Sequence, residues 1–105
     1  MPFKLSFKDM PHAEDVQREC ESLADELRVE FPETTRVEIT LAHARDEYDA
    51  HVHVTGKDID IAGRAKHRDS VALAAREAFQ RAHAQLRKHH DKLIFKHRRD
   101  GHEKS

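Results

Sequence analysis

The stretch that most limits what this chain can fold into is Asp69 to Arg99, DSVALAAREAFQRAHAQLRKHHDKLIFKHRR, which contains neither Gly nor Pro. Ala, Leu, Arg, Lys and Gln dominate it, and all are good helix formers. Asp69-Ser70 offers an N-cap and Gly101 a stop signal. At about 100° per residue, Val71, Ala75, Ala78, Phe79, Ala82, Leu86, His89 and Leu93 share one face, the side expected to meet a core. Arg81, Lys88, Lys92 and Arg99, spaced by seven, four and seven, form a narrow stripe on one flank of that face. His83, His90 and His97 form a second line on the other flank. A helix this long and this one-sided needs a layer beneath it, and its basic flank needs counter-charge.

The residues upstream can supply the layer. Phe3, Leu5 and Phe7 alternate with Lys4, Ser6 and Lys8, the period of a half-buried strand. From about residue 12 to Phe31, Val16, Cys20, Leu23, Leu27 and Phe31 recur at helical spacing until Pro32 stops the run. Cys20 lies within that apolar stripe, so a packing role is expected for it. Val37, Ile39 and Leu41 alternate again, and Arg45 to Asp49 reads as a charged connection. Ala50, Val52 and Val54 then alternate with His51, His53 and Thr55. Thr55-Gly56-Lys57-Asp58 reads as a tight hairpin turn with Gly56 at positive φ. Ile59 and Ile61 form the last strand, before a basic segment Arg64–Arg68.

This pattern predicts an α+β fold of order β-α-β-β-β-α. Four strands make a one-faced sheet covered by two helices, a topology shared with double-stranded-RNA-binding domains. The first helix can act as a right-handed crossover that leaves strands one and two parallel, with a meander after them. One domain over residues 1–99 and a disordered tail over 100–105 are expected.

Leu, Ile, Val and Phe number 22 of 105 residues, a low count, but the net charge is only −1 and the apolar residues are patterned, so the chain reads as folded. A single cysteine and no run of about 18 apolar residues point to a cytoplasmic protein away from membranes. The near-neutral total hides a division. Residues 1–62 carry a net −8 and residues 63–105 a net +7. Such polarity suggests an anionic partner for the basic end.

Catalytic motifs are missing: Ser, Cys and His form no recognisable nucleophilic set, and no Gly-rich phosphate loop occurs, so no enzyme is expected. His51-x-His53, near Glu38 and Asp60, has two imidazoles on one strand face, donors of the kind that bind Zn²⁺ or Ni²⁺, but an ordinary polar sheet face explains it better. His83, His90 and His97 lie roughly 10.5 Å apart, too far for one ion. No metal and no cofactor are expected. The strongest signal is the rail Arg81, Lys88, Lys92 and Arg99, backed by Arg87, Lys96 and Arg98. Between the cap and Arg99, Glu77 and Asp91 are the only acids against it. Helical cations so spaced can each meet a phosphate of a nucleic-acid backbone.

HVTGKDIDI from His53, followed by about thirty residues of helix ending QLRKHHDKL at Leu93, resembles the ribosome hibernation-promoting factor and ribosome-associated inhibitor family. That family is also described as sigma-54 modulation or S30AE-type proteins. Its members show H-V-N-G-x-x-I at the hairpin and Q-L-x-K-[HY]-K-[DE]-K-L in the last helix. The resemblance spans nearly the whole chain, with its specific motifs in residues 52–93.

The resemblance implies a short hibernation factor that binds the 30S subunit and its 16S rRNA when growth slows. It would fill the mRNA and tRNA channel and inhibit translation by occlusion, as a monomer when free. The RNA-binding residues expected are Arg81, Arg87, Lys88, Lys92, Lys96 and Arg99. Two departures stand out. The family's first helix is usually basic, whereas here Glu14, Asp15, Glu19, Glu21, Asp25, Glu26 and Glu30 outnumber Arg18 and Arg28. In the last helix, Ala84 and His90 replace a common Arg and a common Lys. The alternative is a divergent paralogue without ribosome binding, acting as a protein-interaction or pH-responsive module. A double-stranded-RNA-binding domain lacks support, because Asp69–Arg76 has none of the clustered lysines that clamp a duplex.

Overall fold

Each alternating segment becomes a strand and each helical stripe a helix. In the computed structural model of this chain, the backbone is described for residues 3–103 and the side chains for residues 3–91. The order is β1 (Phe3–Lys8), α1 (Glu14–Glu30), β2 (Thr34–Ala44), β3 (Glu47–Gly56), β4 (Ile59–His67) and α2 (Val71–Glu103). The sheet runs β1-β2-β3-β4. β1 and β2 are parallel through the α1 crossover, and the remaining neighbours are antiparallel. The expected β-α-β-β-β-α arrangement is therefore the observed one.

Register explains the core. Val37 lies opposite Val54, Ile39 opposite Val52 and Leu41 opposite Ala50. Ile61 and Ala65 continue these rows on β4, at Val54 and Ala50. All of them face one side and are buried. Val16, Cys20, Ala24 and Leu27 of α1 cover this face over β1 and β2. Ala74, Ala75, Ala78, Phe79, Ala82 and Leu86 of α2 cover it over β3 and β4. Burying a side chain the size of Ile39 or Leu86 contributes about 1.5–3 kcal/mol. Cys20 is packed as expected. Burial, reinforced by the neighbouring Glu19 and Glu21, pushes its thiol up to about 12, so it stays protonated and inert.

Glycine shapes this packing twice. A Cβ on Gly63 would collide with the Ala78 carbonyl oxygen and lie 2.7 Å from Ala82 N, so α2 rests directly on the β4 backbone there. Gly56 does not take the positive φ expected of it; Asp58 does, at φ 61°. Gly56 is instead pressed against Glu33, whose carbonyl oxygen a side chain would strike. The two-residue turn is thus Lys57-Asp58, and Asp tolerates the left-handed region better than most residues.

Three further expectations are corrected. The connection read over Arg45–Asp49 shrinks to Arg45-Asp46, because Tyr48 and Ala50 continue the inward period of β3. Arg45 holds the turn at φ 59°. Most of the basic segment Arg64–Arg68 belongs to β4, with Ala65 inward and Arg64 and Lys66 outward. At the other end, α2 passes through Gly101 to Glu103, since Gly keeps its backbone N–H and weakens a helix by only about 1 kcal/mol. Of the segment 100–105 read as a tail, residues 100–103 lie in this helix and 104–105 lie outside the described residues. The start of α2 is capped by Ser70, whose Oγ accepts from the Leu73 N–H at 3.2 Å.

Candidate nucleic-acid interface

The basic flank of α2 lies along the open edge of β4. Arg81 is exposed and donates from Nη1 to the Arg64 carbonyl oxygen at 2.6 Å. One turn later, Gln85 donates from Nε2 to the Ala62 carbonyl oxygen at 2.7 Å. These bonds satisfy two acceptors of an edge strand, which would otherwise invite another chain. Lys88 follows Gln85 by three residues on the same flank and is exposed. Arg81 also approaches Glu77 at 3.6 Å, an exposed pair of small energetic weight. Lys88 has no ion-pair partner among the described residues.

The rail is thus only partly assembled as the sequence reading had it. Arg81 and Lys88 share the β4 flank. Arg87 is four residues from His83 and three from His90, so it sits on their side of the helix, towards α1. Lys92, Lys96 and Arg99 belong to α2, but their side chains lie outside the described residues. Gln85 and Arg64 escaped the sequence reading. The signal for Arg64 was there, in the unbroken period of Ile59, Ile61, Gly63 and Ala65 with Arg64 on the opposite face.

The other flank of α2 is turned inward to acids. His83 Nε2 lies 2.9 Å from Glu30 Oε1, and His90 Nδ1 lies 3.5 Å from Glu33 Oε1. Both imidazoles meet the buried Phe31 ring edge-on, with centroids 5.6 and 6.0 Å away. Arg76 is bound through its guanidinium to Glu19 of α1. His83 and His90, which the sequence places in a line on the other flank of α2, are therefore a seam between the helices. His97 lies outside the residues whose side chains are described. His89 is enclosed at Nε2, which has no hydrogen-bond partner among the described residues.

On the outward face of the sheet, His51 and His53 stack with centroids 6.3 Å apart, and His53 Nε2 meets Asp60 Oδ1 at 2.6 Å. Burial, aided by Arg64 and His53 and opposed by Asp49, pulls the His51 pKa below its usual range. Among the described residues, no three His, Cys, Asp or Glu side chains are placed to hold a metal ion. None of the described helices is long and apolar enough to cross a membrane.

A family model described as sigma 54 modulation protein / S30EA ribosomal protein matches residues 3–94. The chain belongs to that family. No curated protein sequence matches it. Among solved structures, this S30EA family member is similar to a ribosomal subunit interface protein from Coxiella burnetii, with a TM-score of 0.78 at 12% identity. That match covers 87% of this chain and 99% of the other. It is also similar to the N-terminal domain of Protein Y from Thermus thermophilus, with a TM-score of 0.74 at 15% identity, over 84% of this chain and 98% of that one. At such identities the likeness carries the fold.

Proposed function

We propose that this S30EA family member binds the 30S ribosomal subunit through 16S rRNA and blocks translation during stress or stationary phase. It does so by occupying the mRNA and tRNA channel, without catalysis, cofactor or metal. The observation that carries this reading is the exposed basic flank of α2, free of strong counter-charge at Lys88 and set along a sheet edge. Cations on a rigid helix can track a phosphate backbone while the covered face holds the fold. Family membership and the subunit-interface description of the Coxiella burnetii neighbour support the same partner. A cytoplasmic location follows from that partner.

The test is co-sedimentation with purified 30S subunits, alone and after loading with mRNA and initiator tRNA. Binding to empty subunits and exclusion by the loaded ones is the expected result. Failure to sediment with either would favour the second reading, a paralogue that uses its acidic α1 to meet a protein instead.

A further inference from the structure

We propose that the RNA-binding surface continues past Arg81 onto β4, where Arg64, Lys66 and Arg68 take over from α2 in following the phosphate backbone. This rests on the rRNA-binding reading above.

Helix and strand run antiparallel and keep step. Arg81 meets Arg64 and Gln85 meets Ala62, so four helical residues, about 6 Å, match two strand residues, about 6.6 Å. Continuing towards the start of α2, the same stepping brings Glu77 and Leu73 alongside the end of β4. A hollow of about 500 Å³ lined by His67, Leu73, Arg76, Glu77 and Gln80 agrees with this alignment. The basic flank of the helix therefore ends at Arg81: its next turn offers Glu77, and Arg76 is already held by Glu19.

The strand then carries cations where the helix has none. Arg64 and Lys66 project outward from β4, Arg68 follows one residue after the strand, and all three are exposed. None forms an ion pair among the described residues. His51 stands opposite Arg64 and Asp49 opposite Lys66 on β3. A second hollow, of about 420 Å³, collects Arg45, Lys66 and Arg68 with Asp46, Glu47 and Asp49. These acids weaken the row without closing it, and they supply a control of opposite sign. The row also lies beyond α2 from the acidic α1, the direction in which anion repulsion is least.

The experiment measures 30S co-sedimentation against salt for four full-length proteins: the parent, Lys88→Glu, Arg64→Gln/Lys66→Gln/Arg68→Gln, and Asp46→Asn/Glu47→Gln/Asp49→Asn. The triple cation variant should bind more weakly, with a log–log salt slope shallower by about 2, from three contacts at ~0.7 each. The acid variant should bind more tightly than the parent. If Lys88→Glu loses binding while both triple variants match the parent, the β4 row is not part of the surface, although the rail reading stands. If the parent fails to bind, or Lys88→Glu binds as well as the parent, the rail reading falls and this extension with it. Weaker binding with an unchanged slope would mean that the row meets protein, which also overturns the assignment to RNA. Should the cation variant melt far below the parent, the acid variant alone decides: equal affinity to the parent refutes the row.

Discussion

Gly63 shows how much one residue can set. It lets α2 lie on β4, and so places Arg81 and Gln85 within reach of the strand's edge carbonyls. Gly63→Ala should destabilise the domain by about 1–3 kcal/mol, because the new Cβ meets helix backbone that cannot swing aside. Thermal unfolding would read this as a fall in Tm of several degrees, and an unchanged Tm would refute the close contact. His51 makes a different prediction. Its folded-state pKa is lowered, chiefly by burial, so the fold favours the neutral ring. The stability this provides is full above the unfolded pKa near 6.5 and is lost as pH falls through the lower folded value. His51→Gln should therefore lose less stability than the parent between pH 7 and pH 5 in denaturant titrations. Neither residue could be valued from sequence. Gly63 reads there as a weak point in a strand, and His51 as one imidazole among ten.

At the scale of elements, the hydrophobic periods were legible because each face is covered by a single layer. Val37, Ile39 and Leu41 must point one way, and Val16, Cys20 and Leu27 must meet them. The strand ends and the side of α2 that each flank faces were not legible. Charged residues such as Glu47 and Arg64 can extend a strand on its wet face, and helical spacing says nothing about which neighbour a flank meets. Thus His83 and His90 proved to be held by Glu30 and Glu33, and Arg87 sits with them away from Arg81. The acids of α1 now have a defined place. α2, about 10–12 Å across with its side chains, stands between them and the β4 edge, while the screening length at physiological salt is about 8 Å. Glu14→Gln/Asp15→Gln/Glu21→Gln should change 30S affinity by less than about twofold at that ionic strength, within what so screened a field can do. Tightening of tenfold or more would place α1 against rRNA after all. The Glu19–Arg76 pair is open to solvent, so a double-mutant cycle should show only weak coupling.

Taken as a whole, the molecule sets acids of α1 against one flank of α2 and leaves the other flank, along β4, exposed and basic. The net −8 of residues 1–62 includes the acids of α1, two of which, Glu19 and Glu30, clasp α2 from one side. On the opposite side, where α2 meets β4, Arg64, Lys66, Arg81 and Lys88 stand exposed. If this side binds ribosomal RNA through phosphates, affinity must depend on salt. Binding of the parent to 30S subunits should weaken steeply with salt. The expected log–log slope is near −3 if the four cations Arg81, Lys88, Lys92 and Arg99 each meet a phosphate at ~0.7 per contact, and near −5 if the β4 row joins them. Lys88→Glu is the cleaner comparison than Arg81→Glu, since Arg81 also closes the strand edge, and it should bind more weakly with a shallower slope. A slope near zero, or a Lys88→Glu curve that overlays the parent, would contradict the account.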